Sequence, residues 1–403
     1  MKKRIGILTG GGDVPPLNAV IRAARDEAWQ AGVDLVGFLE GWKGVLDGNW
    51  IDLAGLSVDP RIGGTILKSS RVNIARAANG VPRALGSLAK AGVGGLIVVG
   101  GEDTLSNCFH LPSFPQALIA KTIDNDVGRI EGGEDGGEPV RVLNYFTLGY
   151  PTAAAKIVSY VSWDEGLRTT AYSHERIIFV EAMGMHAGWL ALASGLGNPD
   201  FIVVPEFPVS YESLRERIAG RYREQRHVIV VVAEGARWAD GSYLHAEKDE
   251  MEDFDHPRFG GSAEVLKARL KRDFEGRRDI NTRNINAVNP SYLYRSGAPN
   301  DLDSRWAAAL GKRAARMLAG GPGESRLMSV RKTGRGFAVA ENPLTDFGGI
   351  ADLHRKVDKR FYDAEACAIT PAGRRYLKEI VGEKPAGLPG GIRGMCKSGY
   401  GAK

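Results

Sequence analysis

Lys121-Thr122-Ile123-Asp124-Asn125-Asp126 follows directly on the apolar run Ala117-Leu118-Ile119-Ala120. A short apolar run predicts a buried strand, and this one ends at once in a cation, a hydroxyl and two carboxylates. Charge placed there needs a reason, because an unpaired charge is costly to take out of water. The carboxyl end of a parallel strand is where open α/β sheets bind ligands. Asp124 and Asp126 are two residues apart, so in an extended segment they point to the same side. One can take a proton while the other orients a metal ion, a water or the first carboxylate. Taken alone, the stretch reads equally well as a polar loop of Asx turns.

Three glycine-rich turns lie upstream of it. Ile5-Gly6-Ile7-Leu8 leads into Gly10-Gly11-Gly12-Asp13, and Leu96-Ile97-Val98-Val99 into Gly100-Gly101-Glu102-Asp103-Thr104. Between them stands Gly63-Gly64-Thr65-Ile66-Leu67-Lys68-Ser69-Ser70-Arg71. Strand, glycine turn and helix in succession present backbone amides to phosphate. No Gly-Lys-Ser/Thr follows at Walker A spacing, and Asp13 would set a carboxylate against a dinucleotide's pyrophosphate. Together GGGD, GGTILKSSR, GGEDT and KTIDND resemble the phosphofructokinase family. The resemblance extends to Met183-Gly184 ahead of His186-Ala187-Gly188-Trp189 and to Ala233-Glu234-Gly235, in the family's order over about residues 4 to 300.

With 403 residues the chain is long for one core, so two domains are expected. No apolar run approaches a membrane span, and the basic N-terminus leads into a four-residue strand rather than a signal peptide. Cys108, Cys367 and Cys396 form neither a disulfide framework nor a metal spacing, which fits a reducing cytoplasm. A net charge of +5 suits a solvated surface, and also a cleft for polyanions. No basic run interleaved with aromatics is present, so nucleic acid is not an expected partner, nor is a membrane.

In chain order, Pro15-Pro16 opens a helix with Leu17, Val20, Ile21 and Ala24 on one face. Leu35–Phe38 reads as a strand and Gly41–Gly48 as a loop with glycine and tryptophan. Residues 127–142 read as an acidic, glycine-rich mobile insertion. A helix is expected from Tyr150 to about Trp163, and strands at Arg176–Glu181, Phe201–Val204 and Val228–Ala233. Residues 237–260 read as a surface excursion, with helices at Ser262–Phe274 and Arg305–Leu318. Strand and helix alternating in this way indicate parallel, doubly wound sheets.

The resemblance implies two doubly wound, Rossmann-like, three-layer α/β domains with a cleft between them. The phosphate-donor domain is expected at 1–148 plus about 296–350. The sugar-phosphate domain is expected at 149–295 plus part of the C-terminal region, and 387–403 as a flexible tail. It makes Asp124 the general base for the C1 hydroxyl of fructose 6-phosphate. Asp126 holds geometry nearby, and Thr122 bonds a phosphoryl oxygen. Gly11, Gly12, Gly101 and Thr104 line the donor loops, with Arg71 between the donor and acceptor phosphates. Glu102 stands where the family commonly has its metal-associated Asp, which implies Mg2+, bound directly or through water.

Met183, Gly184 and Glu234 are expected to contact the sugar, and Tyr292 and Arg295 its 6-phosphate. Arg176 and Arg283 match positions that reach in from a neighbouring subunit, which implies a homodimer or homotetramer with shared active sites. Two positions depart from the family pattern. Pro16 replaces a glycine, and Met185 replaces an arginine, so that either Lys68 or another cation substitutes for its charge or turnover and substrate preference have shifted.

The donor turns on Asp103. ATP-using relatives have glycine there, leaving room for an α-phosphate; a carboxylate fills that room and repels a third phosphate. Lys121 adds a point charge toward the transferring phosphoryl. Asp103 with Lys121 matches the pyrophosphate-dependent members and implies a readily reversible reaction. The competing readings are an ATP-dependent phosphofructokinase, a kinase for a related sugar such as sedoheptulose 7-phosphate, and a non-catalytic regulatory subunit of the same fold. Retention of both TIDND carboxylates speaks against the last. A nicotinamide-dependent dehydrogenase lacks both the glycine spacing and a ribose-binding acid.

Overall fold

The computed structural model describes residues 4–131, 141–245, 251–252, 256–257, 261–321, 323–334 and 336–382. The tail expected at 387–403, Cys396, and the central parts of the insertions expected at 127–142 and 237–260 lie outside these residues. The chain forms two compact units. The first comprises Met1–Thr152, Glu252–His256 and Arg295–Arg355; the second comprises Ala153–Met251, Pro257–Tyr294 and Lys356–Lys403.

The first unit is built on an eight-stranded sheet. From one edge its strands run Gly336–Pro343, Arg326–Thr333, Gln116–Thr122, Val93–Gly100, Arg4–Thr9, Asp34–Phe38 and Trp50–Asp52, and the short Leu148–Gly149 strand pairs with Gln116–Thr122. The central strands are parallel, and only the two outermost pairings are antiparallel. Apolar side chains cover both faces, as a parallel sheet requires. On one face Leu8, Val36, Phe38, Val98 and Leu118 pack with Trp42, Val45, Ala84, Leu88 and Leu105. On the other, helices Leu17–Gln30 and Asp301–Ala319 pack against each other, and Arg316 Nε donates to Glu27 Oε1 at 2.7 Å.

Strand order places the ligand end. The chain starts mid-sheet at Arg4–Thr9, runs outward to Asp34–Phe38, then returns to the other side at Val93–Gly100. The carboxyl ends Thr9 and Gly100 therefore flank a topological switch point, where connecting loops diverge and leave a crevice. Both of the glycine turns GGGD and GGEDT begin there.

The second unit carries a four-stranded parallel sheet ordered Phe201–Val203, Val228–Ala233, Ile177–Ala182 and Ile285–Val288. Phe179, Val203 and Val230 pack under helices Tyr211–Gln225 and Ser262–Asp273. Trp189, Phe361 and Tyr376 form an aromatic cluster with ring centroids 5.4–5.6 Å apart. Its switch point lies between Ile177–Ala182 and Val228–Ala233, so the Met183 and Glu234 turns flank it.

The mixed α/β class with parallel sheets matches the sequence reading. One segment differs: Gly41–Gly48 contains the helix Trp42–Asp47 rather than a loop. Its glycines mask the helix because they lower propensity. Gly44 is needed for packing, since a Cβ there would come within 1.9 Å of the Leu39 carbonyl oxygen. The helix Gly80–Lys90, the hairpin Arg326–Thr333/Gly336–Pro343 and the helix Pro371–Val381 carry no motif and are seen only in the structure.

Candidate active site

At the first unit's switch point the glycine turns are locked together by one side chain. Thr104 is buried, and its hydroxyl and methyl sit where a Cβ on Gly10 or Gly100 would fall, 2.6 and 2.3 Å from the nearest Thr104 atoms. Trp42 Nε1 donates to the Thr104 carbonyl at 2.8 Å. The GGTILKSSR segment wraps the same loop. Gly11 N donates to the Ser70 carbonyl at 3.1 Å, Ser69 Oγ to the Gly11 carbonyl, and Thr9 Oγ1 to the Lys68 carbonyl at 3.0 Å. Pro16 fits its place, its carbonyl accepting from Ala19 N and Val20 N at the start of the helix.

Lys121 reaches into this loop. Its side chain is buried and Nζ donates to the Gly12 carbonyl. Burial, and then the charge of Arg295, push its pKa down to about 7, with Asp13 and Asp124 pulling the other way and Arg71 adding to the repulsion. Arg295 itself lies against Gly12: a Cβ there would be 2.8 Å from Nη1. The structure thus gathers Arg71, Lys121 and Arg295 around the donor loop, and Arg295 is in the first unit while Tyr292 is in the second. Glu102 and Asp103 form the first turn of the short helix Glu102–Ser106, which follows Gly101.

Past the strand, Asp124 N donates to Thr122 Oγ1 at 3.1 Å, leaving that hydroxyl's hydrogen to point elsewhere. Asn125 takes a left-handed φ of 54°, and buried Arg355 clamps it, Nη2 bonding its carbonyl at 2.8 Å and its Oδ1 at 2.5 Å. Asp124 and Asp126 therefore flank a turn rather than lying in the extended segment expected, and they remain close enough for the charge of one to act on the other. Burial, and then the Asp124 charge, raise the Asp126 pKa, partly offset by His354.

Asp126, Glu102 and His354 each offer a ligand atom, all within 4.8 Å of one another. Asp126 Oδ1 is buried with no hydrogen-bond partner, an arrangement that a bound cation would satisfy. The three residues fit a divalent metal ion. His354 is the functional candidate that sequence reasoning missed, because it stands in no motif and far from the others in the chain.

In the second unit Glu234 Oε1 accepts from Gly184 N at 2.9 Å, and Gly235 N donates to the Gly184 carbonyl. Gly184 has φ 134°, and a Cβ would come within 2.5 Å of the Ala187 carbonyl oxygen, so only glycine fits this turn. Met183, Gly184 and Glu234 are brought together as expected, with Met185's carbonyl packed on Gly235. Buried Glu181 accepts from Gly261 N and Ala263 N at 3.0 Å and from Asn289 Nδ2 at 2.8 Å, anchoring the segment that leads to exposed Tyr292. Arg176 and Arg283 are not at this edge. They precede the parallel strands Ile177–Ala182 and Ile285–Val288, paired Ile285 to Ile177, and so sit about 20 Å away at the amino ends.

The chain matches the Phosphofructokinase family over residues 4–318. It belongs to that family. Membership makes it a phosphotransferase. A pyrophosphate--fructose 6-phosphate 1-phosphotransferase of Dictyoglomus thermophilum is 35% identical, covering 90% of this chain and 97% of the relative. An ATP-dependent 6-phosphofructokinase of Mycobacterium tuberculosis is 34% identical, covering 90% and 99%. The solved structure of a pyrophosphate-dependent phosphofructokinase from Marinobacter aquaeolei superposes with a TM-score of 0.76 at 21% identity, covering 96% of this chain and 94% of that one, which shows the same fold. Among the described residues no helix is long and apolar enough to cross a membrane.

Proposed function

We propose that this phosphofructokinase-family chain moves a phosphoryl group from pyrophosphate to the C1 hydroxyl of fructose 6-phosphate, giving fructose 1,6-bisphosphate and phosphate. The observation that carries the donor assignment is Asp103 in the first turn after Gly100-Gly101, at the switch point that Lys121 enters from the neighbouring strand. A carboxylate there is compatible with two phosphates beside Lys121 and opposes a third. The pyrophosphate-using relatives at 35–37% identity support the same donor.

Asp124 accepts the C1 hydroxyl proton as the oxygen attacks the terminal phosphorus, and phosphate departs with the bridging oxygen's electrons. Thr122's hydroxyl donates to a phosphoryl oxygen, since its lone pair already takes Asp124 N. Lys121 and Arg71 balance charge on the donor, and the Gly11 and Gly12 backbone brings the donor close. Glu102 and Asp126 would hold Mg2+, which neutralises and orients donor phosphate oxygens when bound. Glu234 and the Met183-Gly184 backbone bind the sugar, with Tyr292 binding its 6-phosphate, while Arg295, expected at that phosphate, lies against Gly12 and adds positive charge at the donor loop. Arg176 and Arg283 act in a neighbouring subunit's site within a homodimer or homotetramer. The setting is the cytoplasm.

The ATP-dependent reading is kept by the mycobacterial relative at 34% identity. Asp103→Gly tests the choice: pyrophosphate turnover should fall and ATP turnover rise. Wild-type protein that uses ATP and not pyrophosphate, or that forms no pyrophosphate from fructose 1,6-bisphosphate and phosphate, overturns the proposal.

A further inference from the structure

His354 lies beyond residue 318, where the family match ends, yet it stands beside two carboxylates of the family's own motifs. The chain returns there by backbone pairing. Val127 and His354 form an antiparallel bridge, Gly128 N donates to the Leu353 carbonyl at 2.7 Å, and Arg355 N donates to the Asp126 carbonyl at 2.6 Å. Buried Arg355, bonded to the carbonyls of Asn125 and Asn144, fixes the segment to the Asp124–Asp126 turn. The imidazole is therefore placed by the backbone and its neighbour rather than by a flexible arm.

We propose that His354 turns this carboxylate pair into a mixed nitrogen–oxygen site that holds Mn2+ in preference to Mg2+. The inference rests on the reading of Glu102 and Asp126 as the metal-holding carboxylates. Its geometry is favourable. An octahedral ion with ligands at about 2.1 Å sets them about 3.0 Å apart when adjacent and about 4.2 Å when opposite. His354 Nδ1 is 3.3 Å from Glu102 Oε2, close to the adjacent-ligand spacing, and all three ligand atoms lie within 4.8 Å of one another, a span that a small closure of the cluster brings to octahedral distances. Asp126 Oδ1 is buried and lacks a hydrogen bond, so the cluster holds an acceptor that only an added donor or cation would satisfy. Magnesium is hard, keeps its waters and seldom takes imidazole. Manganese accepts carboxylate and water as readily and gains from a nitrogen ligand, as first-row cations do.

Mn2+ alone is the probe. Titration of the full chain at pH 7.5, followed by electron paramagnetic resonance, should show tight binding that Mg2+ displaces only in excess. Electron spin-echo envelope modulation should show a directly bound 14N. His354→Gln should lose that modulation and weaken Mn2+ binding at least about tenfold, with Mg2+ affinity changed far less. No bound Mn2+, no nitrogen modulation in the wild type, or modulation that survives in His354→Gln overturns the proposal. The wild-type measurement decides even if the variant folds poorly. Phosphoryl-transfer assays are run separately, so a nitrogen-ligated metal in a protein that ignores pyrophosphate defeats the functional reading alone.

Discussion

Lys121 Nζ donates a hydrogen bond to the carbonyl of Gly12, 109 residues earlier in the chain. This contact ties the end of one central strand to the loop after another and buries a cation where a polyanion is to bind. Burial, then Arg295, hold its pKa at about 7, so near neutrality a good share of the amine is uncharged. A multiply charged phosphate adds opposing charge beyond that of Asp13 and Asp124 and favours the ammonium form.

Donor binding should therefore take up a proton at Lys121. Above about pH 7 this proton must come from solvent, so affinity for pyrophosphate should fall as pH rises. Calorimetry in buffers of different ionisation enthalpy reads the uptake. Because pyrophosphate also titrates, the informative quantity is the difference between wild type and Lys121→Met. Equal uptake in both would show that Lys121 is already charged. For stability the sign is set by the depressed value: between about 7 and the ordinary 10.5 the unfolded chain binds more protons, so Lys121's contribution to stability rises with pH in that window.

Gly100→Ala should destabilise the first unit. The new methyl would lie 2.3 Å from Thr104 Cβ in a buried site bounded by strand backbone, with nowhere to yield. Overpacking of this kind costs about 1–3 kcal/mol. A urea melt with unchanged midpoint would show that the two glycine turns are not locked as described.

Legibility followed chemistry rather than position. The KTIDND turn stood out because a cation, a hydroxyl and two carboxylates follow directly on an apolar strand and join the glycine turns in one ordered set. Arg176 and Arg283 carried no local sign of the edge they occupy, since only the Ile285–Ile177 register places both at the amino ends. His354 was silent for a different reason. Its partners are Glu102 and Asp126, and a long-range bridge, which no local pattern encodes, brings them together. The Trp42–Asp47 helix was hidden by glycines chosen for close packing against Leu39.

Active sites should be shared between subunits. Arg176 and Arg283 lie about 20 Å from the Glu234 edge of their own sheet, too far for any arginine side chain to span. Asp124→Asn and Arg283→Ala should each be nearly inactive alone. Mixed and reassembled as a dimer, random pairing restores about a quarter of the sites, since one site per heterodimer is intact. No recovery after verified subunit exchange would mean that Arg283 does not serve a neighbouring subunit's site.

Glu181→Gln should separate the two substrates. The buried carboxylate accepts from Gly261 N, Ala263 N and Asn289 Nδ2, and so holds both the start of the Ser262–Asp273 helix and the segment leading to Tyr292. A glutamine offers one oxygen and turns its NH2 donors toward N–H groups that need acceptors. Leaving a buried donor unmet costs about 1–3 kcal/mol of stability. Because Tyr292 is expected to bind the 6-phosphate, KM for fructose 6-phosphate should rise severalfold. Glu181 lies in the second unit and the donor loops in the first, so KM for pyrophosphate should stay near wild type. Steady-state kinetics with each substrate varied in turn read the split, and an equal rise in both constants would mark Glu181 as general scaffolding with no particular tie to the sugar side.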